Sequence, residues 1–400
     1  MLLQNKQVAV IGGGMGGLLL ARLLQMKNVS VKVYERDRND QVRVQGAPLD
    51  LHEDSGLKAM KEANLLEEFY QNVRSNASKA RIVDQKLELR FDEHEARHSH
   101  KDEESGIHGN SIQNISKPRP EIDRSELRSI LLNSLEPETI IWDSQFVSMK
   151  KENTGWRIYL KNDFDFYADF VVGADGSHSK IRPYLSDIKP VYSGITMLEG
   201  TIYNAKENVP QLFEFSKGGK VLAFGSRQAI MYGTKGDGSL MFLASSKLPE
   251  NQIEQSNLDF TDHQQVYKWF KEVYKDWSPQ WDALFTSKEL HFILRPQYYF
   301  PFNQSWKTQK NLTMLGDAAH RMPPFAGKGA NLALLDAVDL AENLTSNQFS
   351  DIKTAVAVFE EQMTKRAAAA VKETLENAAH LFSENALERL TAVFKKNNTN

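Results

Sequence analysis

The sequence predicts a mixed α/β and α+β protein in which an α/β domain is interleaved with a mainly antiparallel β-sheet domain and followed by a C-terminal helix. Three observations predict this class: a glycine-rich stretch between two strand-like runs near the start, alternating strand patterns through residues 188–300, and helical periodicity from residue 330 onward. No internal repeat or low-complexity linker separates these parts. We therefore expect domains that share the chain by interleaving.

The opening segment has the pattern of a βαβ unit. The apolar run Gln7–Ile11 is followed by a glycine-rich stretch, a helical pattern and the alternating run Val29–Tyr34. Gly12, Gly14 and Gly17 fit the GxGxxG fingerprint of Rossmann-like domains. In that fold the first glycine allows a tight turn, the second lets the backbone approach a pyrophosphate, and the third lets the helix pack closely. The segment therefore predicts dinucleotide binding.

Glu35 closes the second strand of this unit. A carboxylate at this place, about 20 residues after the glycines, accepts hydrogen bonds from an adenosine ribose in such folds. A carboxylate there also disfavours a 2′-phosphate, because the two groups carry like charges. We therefore expect Glu35 to bind the adenosine end of the nucleotide.

Two later segments predict the rest of the same site. The strand pattern Phe170–Gly173 runs into Asp175-Gly176, and the strand pattern Asn311–Leu315 runs into Gly316-Asp317. A loop rich in proline and glycine then leads into a helix near Ala330. Backbone N–H groups at a helix start bind electron-rich oxygen. Together the segments indicate one nucleotide held at both ends.

Periodicity predicts the remaining elements. Gly56–Tyr70 and Arg124–Leu135 have helical patterns, with Asp123 placed as the N-cap of the second, and Ile352–Lys396 predicts one or two long helices. The segment Asp84–Lys117 is strongly polar. Glycine-containing turns separate the strands of the middle region, as an antiparallel sheet requires.

Composition narrows the function classes. The formal charge of −3 and the pI near 6.4 give no basic surface for nucleic acid or an anionic membrane. The absence of cysteine excludes disulfides, thiolate metal ligands and cysteine nucleophiles. The sequence contains no run of about 18 apolar residues, the length that a membrane span needs. We expect a cytoplasmic monomer that binds a small molecule, with no nucleic-acid or membrane partner.

One segment points to a different class of protein. His94-Glu95-Ala96-Arg97-His98 matches the HExxH pattern of zinc proteases. Its flanks are charged and lack the apolar stripe that would bury a catalytic helix. A solvated charged hairpin explains the segment more simply, so we expect no metal site.

The three nucleotide motifs, in this order and spacing, resemble the signatures of single-component (class A) flavoprotein monooxygenases. Within that family the chain is most similar to the Tet(X)-type tetracycline-inactivating enzymes, through the local runs Pro48–His52, Pro120–Arg124 and His320–Gly327. The resemblance extends over nearly the whole chain. It implies a protein that binds FAD.

The resemblance also implies which residues contact FAD and its electron donor. Arg43 matches the position assigned to the donor, NADPH or NADH. Arg124 would neutralise the pyrophosphate, and Asp317 would accept hydrogen bonds from the ribitol hydroxyls. The implied FAD contacts are Gly12, Gly14, Gly17, Glu35, Arg36, Asp50, Arg124, Asp175, Gly176, Asp317, Pro324, Gly327, Lys328, Gly329, Ala330 and Asn331.

By the same resemblance, NAD(P)H reduces FAD, O₂ adds to form a flavin C4a-hydroperoxide, and one oxygen atom passes to a polycyclic or aromatic substrate. Tetracycline antibiotics are the implied substrates, hydroxylated and thereby inactivated. Because the flavin carries the chemistry, no side chain is predicted as a catalytic acid, base or nucleophile. Two alternatives stay open: another aromatic or secondary-metabolite substrate, and flavin-dependent reduction without oxygen transfer.

The substrate side departs from the tetracycline-inactivating pattern. Where those enzymes carry Gln, Arg and His, this chain has Glu199, Lys220 and Met241. These changes alter charge and hydrogen bonding, and lysine lacks the planar fork of arginine. The residues predicted to contact substrate are Glu199, Lys220, Leu222, Phe224, Met241 and Phe325, with Phe213, Phe215, Tyr232 and Phe242 as further aromatic candidates.

These assignments set the predicted domain boundaries. FAD-binding segments cover residues 1–75, 105–183 and 298–350, and a peripheral excursion of the substrate domain covers 76–104. The substrate-binding sheet covers 184–297, and a helical segment covers 351–400. The FAD-binding domain is thus predicted to be assembled from three stretches of chain.

Overall fold

The chain divides into two compact units, each built from three stretches. The computed structural model describes residues 2–42, 46–74, 77–95, 119–255 and 258–397. The first unit comprises Met1–Val73, Ile122–Val191 and Tyr298–Lys372, and the second comprises Arg74–Glu121, Tyr192–Gln297 and Glu373–Asn400. The predicted boundary at residue 105 falls outside the described residues.

Strands and helices alternate along the chain, which confirms the mixed fold class. The strands, numbered in chain order, are β1 (Val8–Ile11), β2 (Val31–Tyr34), β3 (Leu49–Asp50), β4 (Ala80–Asp84), β5 (Leu89–Asp92), β6 (Glu121–Ile122), β7 (Ile140–Ile141), β8 (Phe146–Glu152), β9 (Gly155–Leu160), β10 (Asp165–Ala168), β11 (Phe170–Gly173), β12 (Val191–Ile202), β13 (Lys220–Gly225), β14 (Gln228–Thr234), β15 (Leu240–Lys247), β16 (Leu290–Tyr299) and β17 (Leu312–Met314).

The helices range from single turns to the long C-terminal pair. They are α1 (Met15–Gln25), α2 (Gly56–Glu62), α3 (Leu66–Gln71), α4 (Arg124–Asn133), α5 (Ala205–Asn208), α6 (Pro210–Phe215), α7 (Glu250–Gln255), α8 (His263–Val273), α9 (Ala283–Thr286), α10 (Asp317–His320), α11 (Gly329–Thr345), α12 (Ile352–Leu381) and α13 (Ala386–Asn397). None of the helices in the described part of the chain combines the length and apolarity needed to cross a bilayer.

A five-stranded parallel sheet forms the centre of the first unit, in the order β17-β11-β1-β2-β7. Along β1, Val8 and Val10 belong to the core formed with α1 and α11, whereas Ala9 and Ile11 belong to a second core. That second core includes inward side chains of the antiparallel sheet β10-β9-β8. Burial on both faces explains why this strand is a continuous apolar run.

The second unit contains a seven-stranded sheet in the order β16-β12-β15-β14-β13-β4-β5. Strands β12, β15, β14 and β13 pair antiparallel, whereas β13 and β4 pair parallel, so the predicted mainly antiparallel sheet is confirmed. One face carries Ile230 and Phe242, which form a core with Phe270 of α8 and Phe285 of α9. The second face is therefore the one on which a ligand would have to bind.

One helix prediction needs correction and another is confirmed. The predicted helix Gly56–Tyr70 is divided into α2 and α3, because Asn64 between them adopts a left-handed φ of 57°. Helix α4 begins at Arg124 as predicted, and Asp123 occupies the N-cap position. The carboxylate of Asp123 nevertheless makes no capping hydrogen bond. Sequence periodicity therefore located the helices but not their interruptions.

Candidate active site

Four of the predicted cofactor segments follow neighbouring strands of the parallel sheet. Because β17, β11, β1 and β2 run parallel, their carboxyl ends meet at one edge. Asp317, Asp175, Gly12 and Glu35 follow those ends, in this order across the edge. Adjacent strands lie about 4.8 Å apart, so the outer two segments are about 14 Å apart. Open α/β sheets bind ligands at this edge.

The glycine-rich loop is shaped by contacts with the neighbouring Ala174 segment. Gly12 has a φ of 111°, and a Cβ there would lie 2.3 Å from the Ala174 carbonyl oxygen. A Cβ on Gly17 would lie 2.3 Å from the Gly12 carbonyl oxygen. At Gly14, by contrast, the nearest atom would be 4.0 Å away. Gly14 thus has space beside it for a ligand, as the pyrophosphate prediction requires.

Glu35 is buried against this loop. Its Oε2 accepts a hydrogen bond of 2.6 Å from the Gly13 N–H, and its Oε1 accepts one of 3.1 Å from the Asp37 N–H. A carboxylate has about four acceptor positions, so one carboxylate can accept backbone N–H groups and ribose hydroxyls together. The neighbouring Arg36 is largely exposed and lies 4.0 Å from the Asp37 carboxylate. The structure therefore fixes Glu35 and leaves Arg36 at the surface.

Arginine side chains lie near His178, which follows β11 at the same edge. The pKa of His178 is lowered by burial and by the charges of Arg321 and Arg36. Arg124, at the start of α4, donates from Nε to the Ala47 carbonyl oxygen at 2.7 Å. A diphosphate beside these cations would be stabilised electrostatically.

Asp175 shapes the second loop through its carboxylate. One oxygen accepts N–H groups from Lys180 at 2.7 Å and Ile181 at 3.3 Å. Burial raises the pKa of Asp175 against the opposing effect of these donors and Ser179. Gly176 follows with a φ of 79°, and a Cβ added to it would have no atom within 4 Å. Hydrogen bonds to Asp175 thus fix the conformation of the loop, and there is space for a ligand beside Gly176.

Asp317 is exposed to solvent, whereas its neighbours in the sequence are buried. It is the one exposed residue within Asn311–His320, a segment that is otherwise buried. A Cβ on Gly329 would lie 4.0 Å from its Oδ1, so the carboxylate stands beside the first turn of α11. The N–H groups of a first helical turn have no partner within the helix. Asp317 and the start of α11 therefore offer an acceptor and donors side by side. The segment that joins α10 to the first turn of α11 contains five more of the predicted FAD contacts: Pro324, Gly327, Lys328, Gly329 and Ala330.

Asn331 joins this loop to the segment that contains Asp50. Its Nδ2 donates to the carbonyl oxygens of Asp50 and Gly327 at 2.8 and 3.1 Å. Its Oδ1 accepts the N–H groups of His52 and Gly56 at 2.9 and 3.1 Å. These four bonds use the whole capacity of the amide. A cofactor contact by Asn331 would therefore have to come from its backbone.

Arg182 supports the same region and was not predicted. Its Nη1 donates to the carbonyl oxygens of Ala318 and Ala319, at 3.1 and 2.9 Å, and its Nη2 donates to Gln304 at 2.6 Å. The guanidinium lies 3.4 Å from the centre of the Phe300 ring, and burial lowers the pKa of Arg182 to about 10. Arg182 thus holds the helical turn that begins at Asp317.

A buried charge cluster holds the other side of that turn. Asp336 accepts the Gly316 N–H at 3.0 Å, lies 2.5 Å from Nε2 of His320, and accepts Nη2 of Arg366 at 3.2 Å. His320 and Asp336 are each 1% exposed. Burial opposes the charged form of His320, but the carboxylates of Asp336 and Asp317 outweigh it and raise its pKa. The cluster therefore fixes Gly316 through one carboxylate.

The raised pKa of His320 predicts a pH-dependent stability. Because the folded-state pKa lies above the unfolded value, the stabilisation is complete below pH about 6.5 and is lost as the pH rises through the folded-state pKa. We expect the unfolding free energy of the wild type to exceed that of His320→Gln by more at pH 6 than at pH 9. Urea denaturation at both pH values measures the difference. A gap that widens with pH would contradict the assignment.

Five predicted substrate residues share one face of the seven-stranded sheet. Side chains alternate along strands, and the registers place Glu199, Lys220, Leu222, Phe224 and Met241 on the face opposite the α8 and α9 core. Tyr232 and Phe242 belong to that core instead, and Phe213 and Phe215 lie on α6, so none of these four is part of that face. Phe325 is buried in the first unit.

Two ion pairs alter the predicted substrate face, which we define by Glu199, Lys220, Leu222, Phe224 and Met241. The carboxylate of Glu199 binds Nε and Nη2 of Arg295, and the ammonium of Lys220 binds the buried Glu121. Glu199 was predicted as a substrate contact, but both of its oxygens are engaged by Arg295. The face therefore presents a guanidinium where the sequence suggested a carboxylate.

The residues of the first unit fit FAD: open backbone at Gly14, an exposed acceptor at Asp317 and a buried acceptor at Glu35. The sequence profile of the family described as FAD binding domain matches residues 5–374. The chain belongs to this FAD-binding family. The monooxygenase asqM of Emericella nidulans is 26% identical over an alignment of 455 positions, gaps included. The alignment covers 97% of this chain and 98% of that protein. The flavoprotein is accordingly a monooxygenase by class.

Solved structures show the same fold. HpxO of Klebsiella pneumoniae, complexed with FAD and uric acid, superposes with a TM-score of 0.73 at 18% identity, covering 100% of this chain and 94% of the other. The tetracycline destructase Tet(55) superposes with a TM-score of 0.75 at 20% identity, covering 100% and 98%. At these identities the likeness establishes the fold of the flavoprotein and leaves its substrate open.

Two sequence predictions lie partly or wholly outside the described residues. Arg43, the predicted contact of the nicotinamide donor, is one of them. Of the HExxH segment, His94 and Glu95 lie in a turn that follows the antiparallel hairpin of β4 and β5, and Ala96–His98 lie outside the described residues. The expectation of a solvated charged hairpin for the whole segment therefore stays a prediction. Within the described ranges, no group of three His, Asp or Glu side chains is placed to hold a metal ion.

Proposed function

We propose that this flavoprotein uses NAD(P)H and O₂ to insert one oxygen atom into an aromatic or polycyclic substrate, with tetracyclines as the first substrates to test. The arrangement of Gly12, Glu35, Asp175 and Asp317 along one sheet edge carries the proposal. FAD, when bound, supplies the redox chemistry that accepts electrons from the donor and activates O₂. Substrate, O₂, NAD(P)H and a proton would yield hydroxylated substrate, NAD(P)⁺ and water.

The protein's own residues bind and orient the cofactor in this proposal. The backbone at Gly14 meets the pyrophosphate, Glu35 binds the adenosine ribose, and Asp317 binds the ribitol chain. Arg182 and Asp336 position the Asp317 turn from its two sides. No side chain has to act as acid or base, so the task of the protein is orientation and exclusion of water.

Two observations support a polycyclic substrate. Leu222, Met231 and Leu243 form an in-register row of half-buried apolar side chains across three strands of the substrate face. This row suits a flat apolar body, since ligand sites combine apolar lining with a few polar groups. The likeness in fold to a tetracycline destructase supports testing tetracycline first.

Oxygen insertion can be tested directly by mass spectrometry. The FAD-loaded protein is incubated in air with NADPH and tetracycline, and in parallel with a panel of aromatic acids, phenols and quinolones. We expect a product heavier than its substrate by one oxygen atom and an equivalent consumption of NADPH. Consumption of NADPH with no oxygenated product from any compound would favour the flavin-reductase alternative. An oxygenated product from another compound, but none from tetracycline, would reject tetracycline alone.

Cofactor binding can be tested at Asp317. We expect Asp317→Ala to weaken FAD binding at least about tenfold, because each tenfold corresponds to only about 1.4 kcal/mol and a ligand acceptor is lost. Asp317→Asn keeps an acceptor oxygen and should retain part of the affinity. Asp276→Ala, at an exposed site in the second unit, is the control. Equilibrium dialysis against FAD gives the dissociation constants, and unchanged affinity in Asp317→Ala would remove this residue from the site.

A further inference from the structure

We propose that Arg295, positioned by Glu199, selects substrates that carry an anionic oxygen at one end of an apolar aromatic body. The proposal rests on the proposed function and specifies its substrate class. Arg295 was absent from the sequence-based site, because nothing in its local sequence distinguishes it. Its assignment follows from its partner and its exposure in the second unit.

The ion pair is asymmetric in exposure. The Glu199 side chain is 6% exposed, whereas that of Arg295 is 42% exposed. Nε and Nη2 of Arg295 bind the two carboxylate oxygens, and Nη1 has no partner among the described residues. A guanidinium has five N–H donors in a planar fork. The buried carboxylate therefore fixes the orientation of the fork, and its remaining donors stay available to an acceptor.

The neighbouring side chains define the rest of the ligand. Leu243 is directly opposite Glu199 in the register of β12 and β15, and Met231 and Leu222 continue this row away from the ion pair. Adjacent strands lie about 4.8 Å apart, so the three apolar side chains span about 10 Å, and Glu199 lies one strand beyond Leu243. A flat aromatic body on this row would place a substituent at one end beside Arg295. A carboxylate, phenolate or enolate oxygen there would form a charge-assisted hydrogen bond.

A purely structural role for Arg295 is the competing explanation. In that case the arginine only neutralises Glu199 and makes no contact with substrate. Both explanations predict loss of stability when Arg295 is removed, because a buried carboxylate would be left unpaired. Only the proposed role predicts a change in the preference for an anionic ligand over its neutral isostere.

The test compares 2-naphthoate with 2-naphthamide on the FAD-loaded protein by isothermal titration calorimetry. We expect the wild type to bind the carboxylate about tenfold more tightly than the amide, as a charge-assisted hydrogen bond allows. In Arg295→Met the ratio should fall to about one, and in Arg295→Lys it should stay at about threefold, because the charge remains without the fork. Arg227→Met, at an exposed position between β13 and β14, should keep the tenfold ratio.

A double variant separates recognition from folding. Glu199→Gln with Arg295→Met removes both charges of the pair, so no unpaired carboxylate stays buried, and its ratio should also be about one. A ratio near one in the wild type, or an unchanged ratio in either variant that carries Arg295→Met, would overturn the proposal. Product formation is measured on the same preparations. If an oxygenated product forms but the carboxylate is not bound more tightly than the amide, this inference is wrong and the proposed function stands. If the carboxylate is bound more tightly but no oxygenated product forms, the proposed function is wrong and this inference stands.

Discussion

Gly12→Ala is expected to lower the free energy of unfolding by about 3 kcal/mol or more and to yield protein without FAD. The added Cβ would lie 2.3 Å from the Ala174 carbonyl oxygen and 2.6 Å from its carbon. Both are backbone atoms of the neighbouring strand's loop, so no side-chain rotation can relieve the contact. The φ of 111° is also a conformation that L side chains rarely adopt. Thermal denaturation and FAD absorbance of the purified variant measure the two effects.

Gly14→Ala is the matched control within the same loop. Its φ is −77°, and the nearest atom to an added Cβ is 4.0 Å away, so we expect a stability within about 0.5 kcal/mol of the wild type. FAD affinity should nevertheless fall at least about tenfold, because the methyl group occupies the approach of the pyrophosphate. A well-folded Gly14→Ala protein with unchanged FAD affinity would contradict the position that we assign to the pyrophosphate.

Asp336→Ala is expected to destabilise the protein by about 3–5 kcal/mol. Asp336 is 1% exposed and binds the Gly316 N–H, His320 and Arg366, so its removal leaves the buried His320 without its counter-charge and the Gly316 N–H without this acceptor. The loss also releases the turn that precedes Asp317. We therefore expect reduced FAD occupancy together with a lower midpoint of urea denaturation.

Asp339→Ala separates this effect from general loss of charge. Asp339 binds Nη1 of the same Arg366 at 2.7 Å, but its side chain is 15% exposed and makes no contact with the Gly316 turn in the described contacts. Its removal should cost about 1 kcal/mol, as expected of a partly solvated ion pair, and should leave FAD occupancy unchanged. Equal losses in both variants would show that the Gly316 contact is unimportant.

The nucleotide motifs were predictable because each is encoded by local sequence. Turn, helix start and strand end are set by residues within a few positions of one another, and parallel strands bring their carboxyl ends to one edge. That is why Gly12, Glu35 and Asp317 could be assigned to one site from the amino-acid sequence. The interruption at Asn64 was missed because a helical apolar pattern continues across it.

The contacts that position the Asp317 turn could not be predicted from local sequence. Arg182 meets Ala318 and Ala319, and Asp336 meets Arg366, only after distant segments have packed together. Nothing in the local sequence distinguishes these charged residues from surface ones. Burial and partner identity are properties of the folded chain, so the tertiary structure was needed to assign them.

By itself, the sequence determined the fold class, predicted the FAD-binding loops and assigned substrate residues to the middle sheet without separating its two faces. Only the tertiary structure decided what that face presents, because pairing between strands far apart in the chain brings Arg295 to Glu199 and reverses the charge expected there. Local patterns record which residues form a strand or a turn. Charge complementarity between segments depends on their register, and register is fixed by packing of the whole unit.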